Sequence, residues 1–202
     1  MPLVYLIRHG QASFGAEDYD VLSPVGQLQG KHAGAELRRR GVLADQVWSG
    51  TLRRQRDTAT AAGLDADLRL DPRWNEFDHL GLVRAVQGDE VTPHGFQEAL
   101  DAALRSWDGL REFGETVTGA VTDLLEGLDS GKTAVVFTSG GVIAAVCARM
   151  WGLDATGFVA VNRVAVNCGI TKLVHGRSGT SLVTYNDHAH FEGDHRELLT
   201  YR

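Results

Sequence analysis

The sequence predicts an α/β fold in which helices cover a mostly parallel central sheet. Two patterns support this prediction. Apolar runs typical of strands buried on both faces occupy residues 3–7 and 133–138. Segments with helical spacing alternate with the strands, and they show start and stop residues such as Ser23-Pro24 and Gly63. Strands that alternate with helices are typical of βαβ units and a parallel sheet.

Length and composition fit such a fold and argue against several classes of function. The chain has 202 residues, of which 43% are hydrophobic and 23% are charged. We expect a single domain over residues 1–202 with a cap insertion at about 77–113. A net charge of −6 argues against nucleic acid or an anionic membrane as the main partner. Cys147 and Cys168 lie in apolar stretches, as expected for reduced, buried thiols of a cytoplasmic protein.

The first candidate ligand-binding residues directly follow the first predicted strand. Arg8, His9 and Gly10 follow it directly, at the sheet edge where open α/β proteins bind ligands. Arg8 can bind an oxyanion through two parallel hydrogen bonds, and His9 can act as base, nucleophile or metal ligand. Gly10 allows the backbone to approach a bound group closely. In the loop over residues 11–22, the Ser13 hydroxyl is a further candidate contact for an anion.

A second candidate site lies at the start of a helix. The pattern predicts a helix from Ser23-Pro24 to Gly41, a strand over residues 45–49 and a helix over residues 51–62. Arg54 falls in the first turn of that last helix, where a cation opposes the helix dipole. We therefore expect an anion that the helix amides and Arg54 bind jointly.

Glu76 is a candidate general acid in the segment that follows a short third strand over residues 67–72. Its neighbours Trp74 and Phe77 would raise the pKa of its carboxyl group, although a surface glutamate is the alternative. The insertion that follows includes a helix near residues 96–107, and its length is typical of a functional lid. Candidate substrate contacts in the insertion, each of which could equally be a solvated side chain, are His79, Arg84, His94, Arg105 and Arg111.

The remaining chain adds a third candidate anion site. A helix over residues 114–128 precedes the strand over 133–138, and Ser139-Gly140-Gly141 then leads into a helix over 142–151. A glycine-rich turn between strand and helix can bind an anion, to which Ser139 would donate a neutral hydrogen bond. A helix over 154–161 and two strands near 166–174 and 181–186 complete the prediction.

Several of these segments together resemble the histidine phosphatase superfamily, the phosphoglycerate-mutase-like proteins. Arg8-His9-Gly10 resembles the Arg-His-Gly signature, and residues 52–59 resemble the family's Leu-x-Arg-Ala-x-x-Thr-Ala, with Arg54 as the matching arginine. The Glu76 segment and the Asn-Asp-x-x-His ending at His190 match as well. The resemblance implies a three-layer α/β/α fold with a helical cap and implies neither a cofactor nor a bound metal.

The resemblance also implies roles for the candidate residues. His9 would be the nucleophile that forms a phosphohistidine, and Glu76 would be the general acid. The residues that would bind the phosphate are Arg8, Arg54, Ser13, Ser139 and Gly140. Ser139 stands where the family has a second catalytic histidine, and His190 or His188 could replace the missing imidazole.

The expected function is hydrolysis of a small phosphorylated metabolite. Three alternatives stay open: a phosphoglycerate-type mutase, a weakly active or non-catalytic protein that binds a phosphorylated ligand, and a metal-dependent hydrolase. The eight histidines show no metal-ligand spacing, which argues against the last alternative. Assembly into a homodimer is also left open.

Overall fold

The computed structural model describes residues 1–13, 20–87 and 95–201. The strands of the described part are β1 (Leu3–Arg8), β2 (Gln46–Ser49), β3 (Leu68–Leu70), β4 (Thr133–Thr138), β5 (Ile170–Gly176) and β6 (Gly179–Asp187). Its α-helices are α1 (Pro24–Arg39), α2 (Arg53–Ala62), α3 (His79–Gln87), α4 (Phe96–Arg105), α5 (Leu110–Glu126), α6 (Gly140–Trp151) and α7 (Ala155–Arg163). Of these helices, none is long and apolar enough to cross a membrane.

The strands form one six-stranded sheet in the order β3-β2-β4-β1-β5-β6. Strands β3, β2, β4 and β1 are parallel, whereas β5 and β6 pair antiparallel at one side. This arrangement confirms the predicted mostly parallel sheet. In the β1–β4 pair, Arg8 lies opposite Thr138, so His9 and Ser139 follow neighbouring strand ends at the same edge.

The central strands β1 and β4 are buried on both faces, as their apolar runs predicted. Leu6 and Val136 pack in a cluster with residues of α3 to α7, whereas Ile7 and Phe137 face a second cluster with α1 and α2. The alternation of side chains along a strand explains why neighbouring residues belong to different clusters. The result is a three-layer α/β/α arrangement.

Three element boundaries differ from the sequence prediction for local reasons. Helix α3 was not predicted; Asp78 Oδ1 accepts a hydrogen bond from the Gly81 amide (2.9 Å) and so caps its first turn. Helix α5 begins at Leu110, so Gly114 lies inside the helix and does not start it. Strand β5 begins only at Ile170, because Cys168 has a φ of 57° that is incompatible with a strand.

Candidate active site

A cavity of about 250 Å³ opens at the carboxyl edge of the parallel strands. The structure brings five of the predicted site residues together in its wall: Arg8, His9, Arg54, Glu76 and Gly140. The other described lining residues are Phe77, His79, Leu80, Phe96, Gln97, Leu100, Asn162, Arg163 and Tyr201. The predicted catalytic group therefore shares one concave site, although its members come from four separate segments of the chain.

His9 is held as a neutral imidazole in one defined tautomer. Its Nδ1 lies 2.8 Å from the Gly10 carbonyl oxygen, and its Nε2 lies 3.1 Å from Nε of Arg54. Because the carbonyl only accepts and the guanidinium only donates, the proton is on Nδ1 and the lone pair is on Nε2. Burial, then Arg54 and Arg8, lower the pKa of His9 well below 6.5. His9 is thus a neutral imidazole whose lone pair lies on Nε2.

The backbone around His9 is fixed by neighbouring elements. The His9 amide donates to the Thr138 carbonyl (2.7 Å), and the Asn167 side-chain amide donates to the His9 carbonyl (3.0 Å). A Cβ on Gly10 would lie 2.4 Å from the carbonyl oxygen of Gly26 in α1. Gly10 therefore allows the backbone to approach helix α1 closely.

The anion expected at the start of α2 is a side chain of the chain itself. Asp20 accepts hydrogen bonds from the Arg53 amide (2.6 Å) and the Arg54 amide (3.4 Å), and it pairs with Nη1 of Arg54 at 2.6 Å. Asp20 does not belong to the described lining of the cavity. The Asp20 carboxylate therefore binds Nη1 of Arg54, while Nε of the same guanidinium contacts His9.

Arg8 is positioned by backbone carbonyls. Its Nη1 donates to the carbonyl oxygens of Ala165 and Tyr201, the latter at 2.8 Å. Both of these acceptors are uncharged backbone carbonyls. With Arg54, Arg8 gives the cavity the two guanidinium groups expected of a phosphate site.

Glu76 reaches the cavity from the segment after β3. One oxygen, Oε2, accepts from the Gly141 amide at the start of α6 (3.1 Å). Burial raises the pKa of Glu76, although the Gly141 amide, Arg54 and Arg8 act in the opposite direction. The raised pKa agrees with the predicted setting, since Phe77 and Trp74 are buried beside it. A carboxyl group with a raised pKa can deliver a proton at mildly acidic pH.

Ser139 does not take the place predicted for it. Its side chain is completely buried and does not line the cavity; instead its Oγ accepts from Nε2 of Gln55 (2.8 Å). Gln55 also donates to the Trp74 carbonyl (2.9 Å) and so fills the space beneath the turn. The sequence carried a signal for this pair, because Gln55 stands where the family pattern has alanine. The glycine that follows, Gly140, does line the cavity.

The two histidines named as substitutes for the missing imidazole lie elsewhere. Nδ1 of His188 is 2.6 Å from the Asn186 carbonyl, and the His190 ring packs on Phe191 with centroids 4.1 Å apart. Burial is the main cause that lowers the pKa of His190 to about 4. Neither side chain lines the cavity. The imidazole that does line it, besides His9, is that of His79.

His79 begins α3 and packs edge-on against Phe96, with ring centroids 6.2 Å apart. Burial and the charge of Arg54 lower its pKa. Of the other candidate contacts in the insertion, Arg84 and Arg105 do not line the cavity, and His94 lies outside the described residues.

Two further predicted contacts are also absent from the described cavity wall. Arg111 lines a different cavity of about 860 Å³ beside α5 and α6. Ser13 does not belong to the lining, and its amide donates to the Val21 carbonyl (2.8 Å).

Among the polar lining residues, sequence reasoning missed Gln97, Asn162, Arg163 and Tyr201. They come from α4, α7 and the end of the chain, and no local motif marks them. Within residues 1–13, 20–87 and 95–201, no group of three or more His, Cys, Asp or Glu side chains could hold a metal ion.

Solved structures of other proteins share this fold. They include phosphoserine phosphatase from Entamoeba histolytica (TM-score 0.69, 18% identity, 94% of this chain and 99% of that chain covered). YhfR of Bacillus stearothermophilus has a TM-score of 0.74 at 17% identity, with 95% and 100% covered. A mycobacterial glucosyl-3-phosphoglycerate phosphatase has a TM-score of 0.69 at 22% identity, with 92% and 99% covered.

Among curated proteins, none matches the chain. The family model of the histidine phosphatase superfamily (branch 1), in contrast, matches residues 4–188, which are most of the sequence. This span includes the strand that delivers His9, the helix that carries Arg54 and the segment of Glu76. The chain therefore belongs to the histidine phosphatase superfamily.

Proposed function

We propose that this protein is a metal-independent phosphomonoester hydrolase that acts through a phosphohistidine intermediate. One observation supports this above all: Nε2 of His9, with its lone pair free of a proton, shares a cavity with two arginines and a carboxyl group of raised pKa. Binding alone requires neither a nucleophile nor a proton donor. The named phosphatases among the structural relatives agree with this proposal.

The phosphoryl group is bound between Arg8 and Arg54. A phosphoryl oxygen that enters the cavity takes over the hydrogen bond that Nε of Arg54 makes to His9. We assign the third donor to the amide of Gly140, because the first amides of a helix have no acceptor within the helix. These donors stabilise the charge that spreads over the equatorial oxygens in the transition state.

In the first chemical step, Nε2 of His9 attacks phosphorus in line with the leaving oxygen. The N–P bond forms, the P–O bond to the leaving group breaks, and the bonding electrons stay on the leaving oxygen. Glu76 transfers its proton to that oxygen, so the product leaves as a neutral alcohol. The Gly10 carbonyl accepts from Nδ1 and stabilises the positive charge that the ring acquires.

In the second step, water attacks the phosphohistidine. Glu76, now a carboxylate, accepts the proton of the water molecule, and the new P–O bond forms as the N–P bond breaks. Inorganic phosphate is released, His9 regains its lone pair and Glu76 is protonated again. Each group is therefore restored after one turnover.

The test is hydrolysis of 4-nitrophenyl phosphate by the natural protein, with and without a chelator, and by His9→Ala. We expect activity that the chelator leaves unchanged and that falls more than about 10³-fold in His9→Ala. His175→Ala is the matched control, since His175 lies on β5 outside the described cavity wall. Loss of activity in the chelator, or full activity of His9→Ala, would contradict the proposal.

The same assay separates the alternatives. A mutase would require a bisphosphoglycerate for turnover of a monophosphoglycerate, and we expect no such requirement. Saturable binding of a phosphate ester with no turnover of any ester would instead establish a protein that only binds its ligand.

A further inference from the structure

We infer that the site selects monoesters whose leaving group is small, apolar and uncharged, and that it discriminates against leaving groups with a carboxylate. This inference rests on the proposed phosphatase function and specifies its substrate class. It follows from the cavity wall that α3, α4 and α7 contribute, which faces the part of the substrate that is not phosphate.

Of the five described lining residues of α3 and α4, three are apolar, and the other two are His79 and Gln97. Leu80 projects from α3, and Phe96 and Leu100 lie four residues apart on the same face of α4. Phe77, which follows Glu76 in the sequence and is 7% exposed, lines the same cavity. A charged leaving group packed against Leu80, Phe96 and Leu100 would lose hydration without gaining a polar partner from these three side chains.

Arg163 of α7 is the cation that this wall adds to those of the phosphate site, within the described lining. Its Nη2 lies 2.8 Å from Oδ2 of Asp101, a carboxylate whose side chain is only 4% exposed. The other oxygen of Asp101 accepts from Nε2 of Gln97 (2.7 Å). A buried carboxylate requires a counter-charge, and Arg163 supplies it to Asp101 in this ion pair.

This arrangement penalises a substrate carboxylate. A substrate carboxylate would compete with Asp101 for the guanidinium of Arg163, and the Asp101 charge would also repel the incoming group. The amide of Gln97 is committed in the same way. Arg163 and Gln97 therefore bind Asp101, so the charge of Arg163 is not free to bind the leaving group.

The volume of the cavity also favours a small leaving group. Its volume of about 250 Å³ lies below the range of about 300–1,000 Å³ typical of drug-sized ligands. A phosphoryl group with one ring or a short alkyl chain fits this volume. The substrate class is therefore the phosphate monoester of a small apolar alcohol or phenol.

The test compares benzyl phosphate with phosphoserine, because both esters release an alcohol and differ in the charge of the leaving group. We expect kcat/KM to be at least about tenfold higher for benzyl phosphate. In Asp101→Asn, which frees the charge of Arg163, we expect this ratio to shift toward phosphoserine by about tenfold, mainly through KM. No shift in a folded Asp101→Asn protein would overturn the inference.

A second variant keeps the inference testable if Asp101→Asn fails to fold. Leu80→Lys places an uncompensated cation on the same wall, at a side chain that is 43% exposed. Leu28→Lys on α1 is the matched control, since Leu28 is 45% exposed and does not line the described cavity. We expect the ratio to shift toward phosphoserine in Leu80→Lys and to stay unchanged in Leu28→Lys.

The outcomes distinguish this inference from the proposed function. If the natural protein hydrolyses benzyl phosphate, phosphoserine and 4-nitrophenyl phosphate at no measurable rate, the proposed function fails. If it hydrolyses them but prefers phosphoserine, or if Leu80→Lys behaves as Leu28→Lys does, the inference fails and the phosphatase function stands.

Discussion

Two helices begin beside the catalytic centre, and each of them binds a carboxylate of the chain at its amino end. The amides of α2 bind Asp20, and the amide of Gly141 in α6 binds Glu76. Asp20 lies outside the described cavity wall and pairs with Arg54, whereas Glu76 lines the cavity and burial raises its pKa. The same backbone donors thus support different roles, because solvent access and neighbouring charge differ.

The largest effect is expected from the carboxyl group that faces the cavity. Glu76→Gln keeps the shape and the contact with α6 but cannot deliver a proton. We expect kcat for benzyl phosphate to fall by about 10²–10⁴-fold. The loss should be smaller for 4-nitrophenyl phosphate, whose leaving oxygen needs little protonation. Glu115→Gln on the exposed face of α5 is the control, and equal losses for the two esters would contradict the role of Glu76.

The pH dependence of the natural protein and of Glu76→Gln is a further test of the roles assigned to Glu76 and His9. In the natural protein, the rate falls as pH rises through the raised pKa of Glu76 and also falls as pH drops through the lowered pKa of His9. A bell-shaped profile with a mildly acidic optimum results. In Glu76→Gln, the alkaline limb should disappear and the acidic limb should remain. A flat natural profile from about pH 5 to 9 would contradict both roles.

A smaller effect is expected from the amide that holds Glu76. A Cβ on Gly141 would lie 2.1 Å from Oε1 of Glu76 and 2.3 Å from the Phe77 ring. Gly141→Ala should therefore displace the carboxyl group and reduce kcat by about 10²-fold. Gly119→Ala in α5 is the matched control, because nothing lies within 4 Å of a Cβ there. Wild-type kinetics in Gly141→Ala would show that Glu76 does not need this contact.

Loss of the Asp20 charge, which lies outside the described cavity wall, should reduce activity less than the changes at Glu76 and Gly141. Asp20→Asn keeps an acceptor for the α2 amides but removes the charge that holds Arg54, so we expect kcat/KM to fall by about 10- to 100-fold. The effect should appear with every phosphate ester, because we propose that Arg54 binds the phosphoryl group that all of them share. Asp57→Asn on the same helix, where Asp57 pairs with Arg53 at 3.5 Å, is the control. A loss that depends on the leaving group would be inconsistent with a role through Arg54.

The smallest effect on catalysis is expected at Ser139. Ser139→Ala removes the acceptor of the Gln55 side chain, which should reduce the free energy of unfolding by about 1–2 kcal/mol. Because the hydroxyl is buried away from the cavity, kcat/KM should change by less than about threefold. Denaturant unfolding and steady-state kinetics test the two expectations. A tenfold loss of kcat without loss of stability would restore Ser139 as a phosphate ligand.

These regions also differ in how far the sequence predicted them. Local patterns were sufficient for the strand that ends at Arg8, for the helix of Arg54 and for the segment of Glu76, since each motif lies within one element. The anion at α2 was expected, but its source was not, because Asp20 lies 34 positions from Arg54 in the sequence. Long-range contacts of this kind depend on how elements pack and leave no local pattern.

The wall of the cavity away from the phosphate site was the least predictable. Gln97, Asp101 and Arg163 meet because α4 packs against α7, and neither helix has a motif that indicates the other. The burial of Ser139 was not predicted for a related reason. The burial of its hydroxyl depends on Gln55 from a different helix, and a serine in a glycine-rich turn does not reveal that partner.

The most direct test of the central claim is to trap the covalent intermediate. The natural protein is mixed with ³²P-labelled phosphate ester, quenched in alkali, where phosphohistidine is stable, and digested. We predict label on the peptide that contains His9, with no label in His9→Ala and accumulation of label in Glu76→Gln when the ester has a good leaving group. Turnover without label on the protein, or label that persists in His9→Ala, would contradict a mechanism through His9.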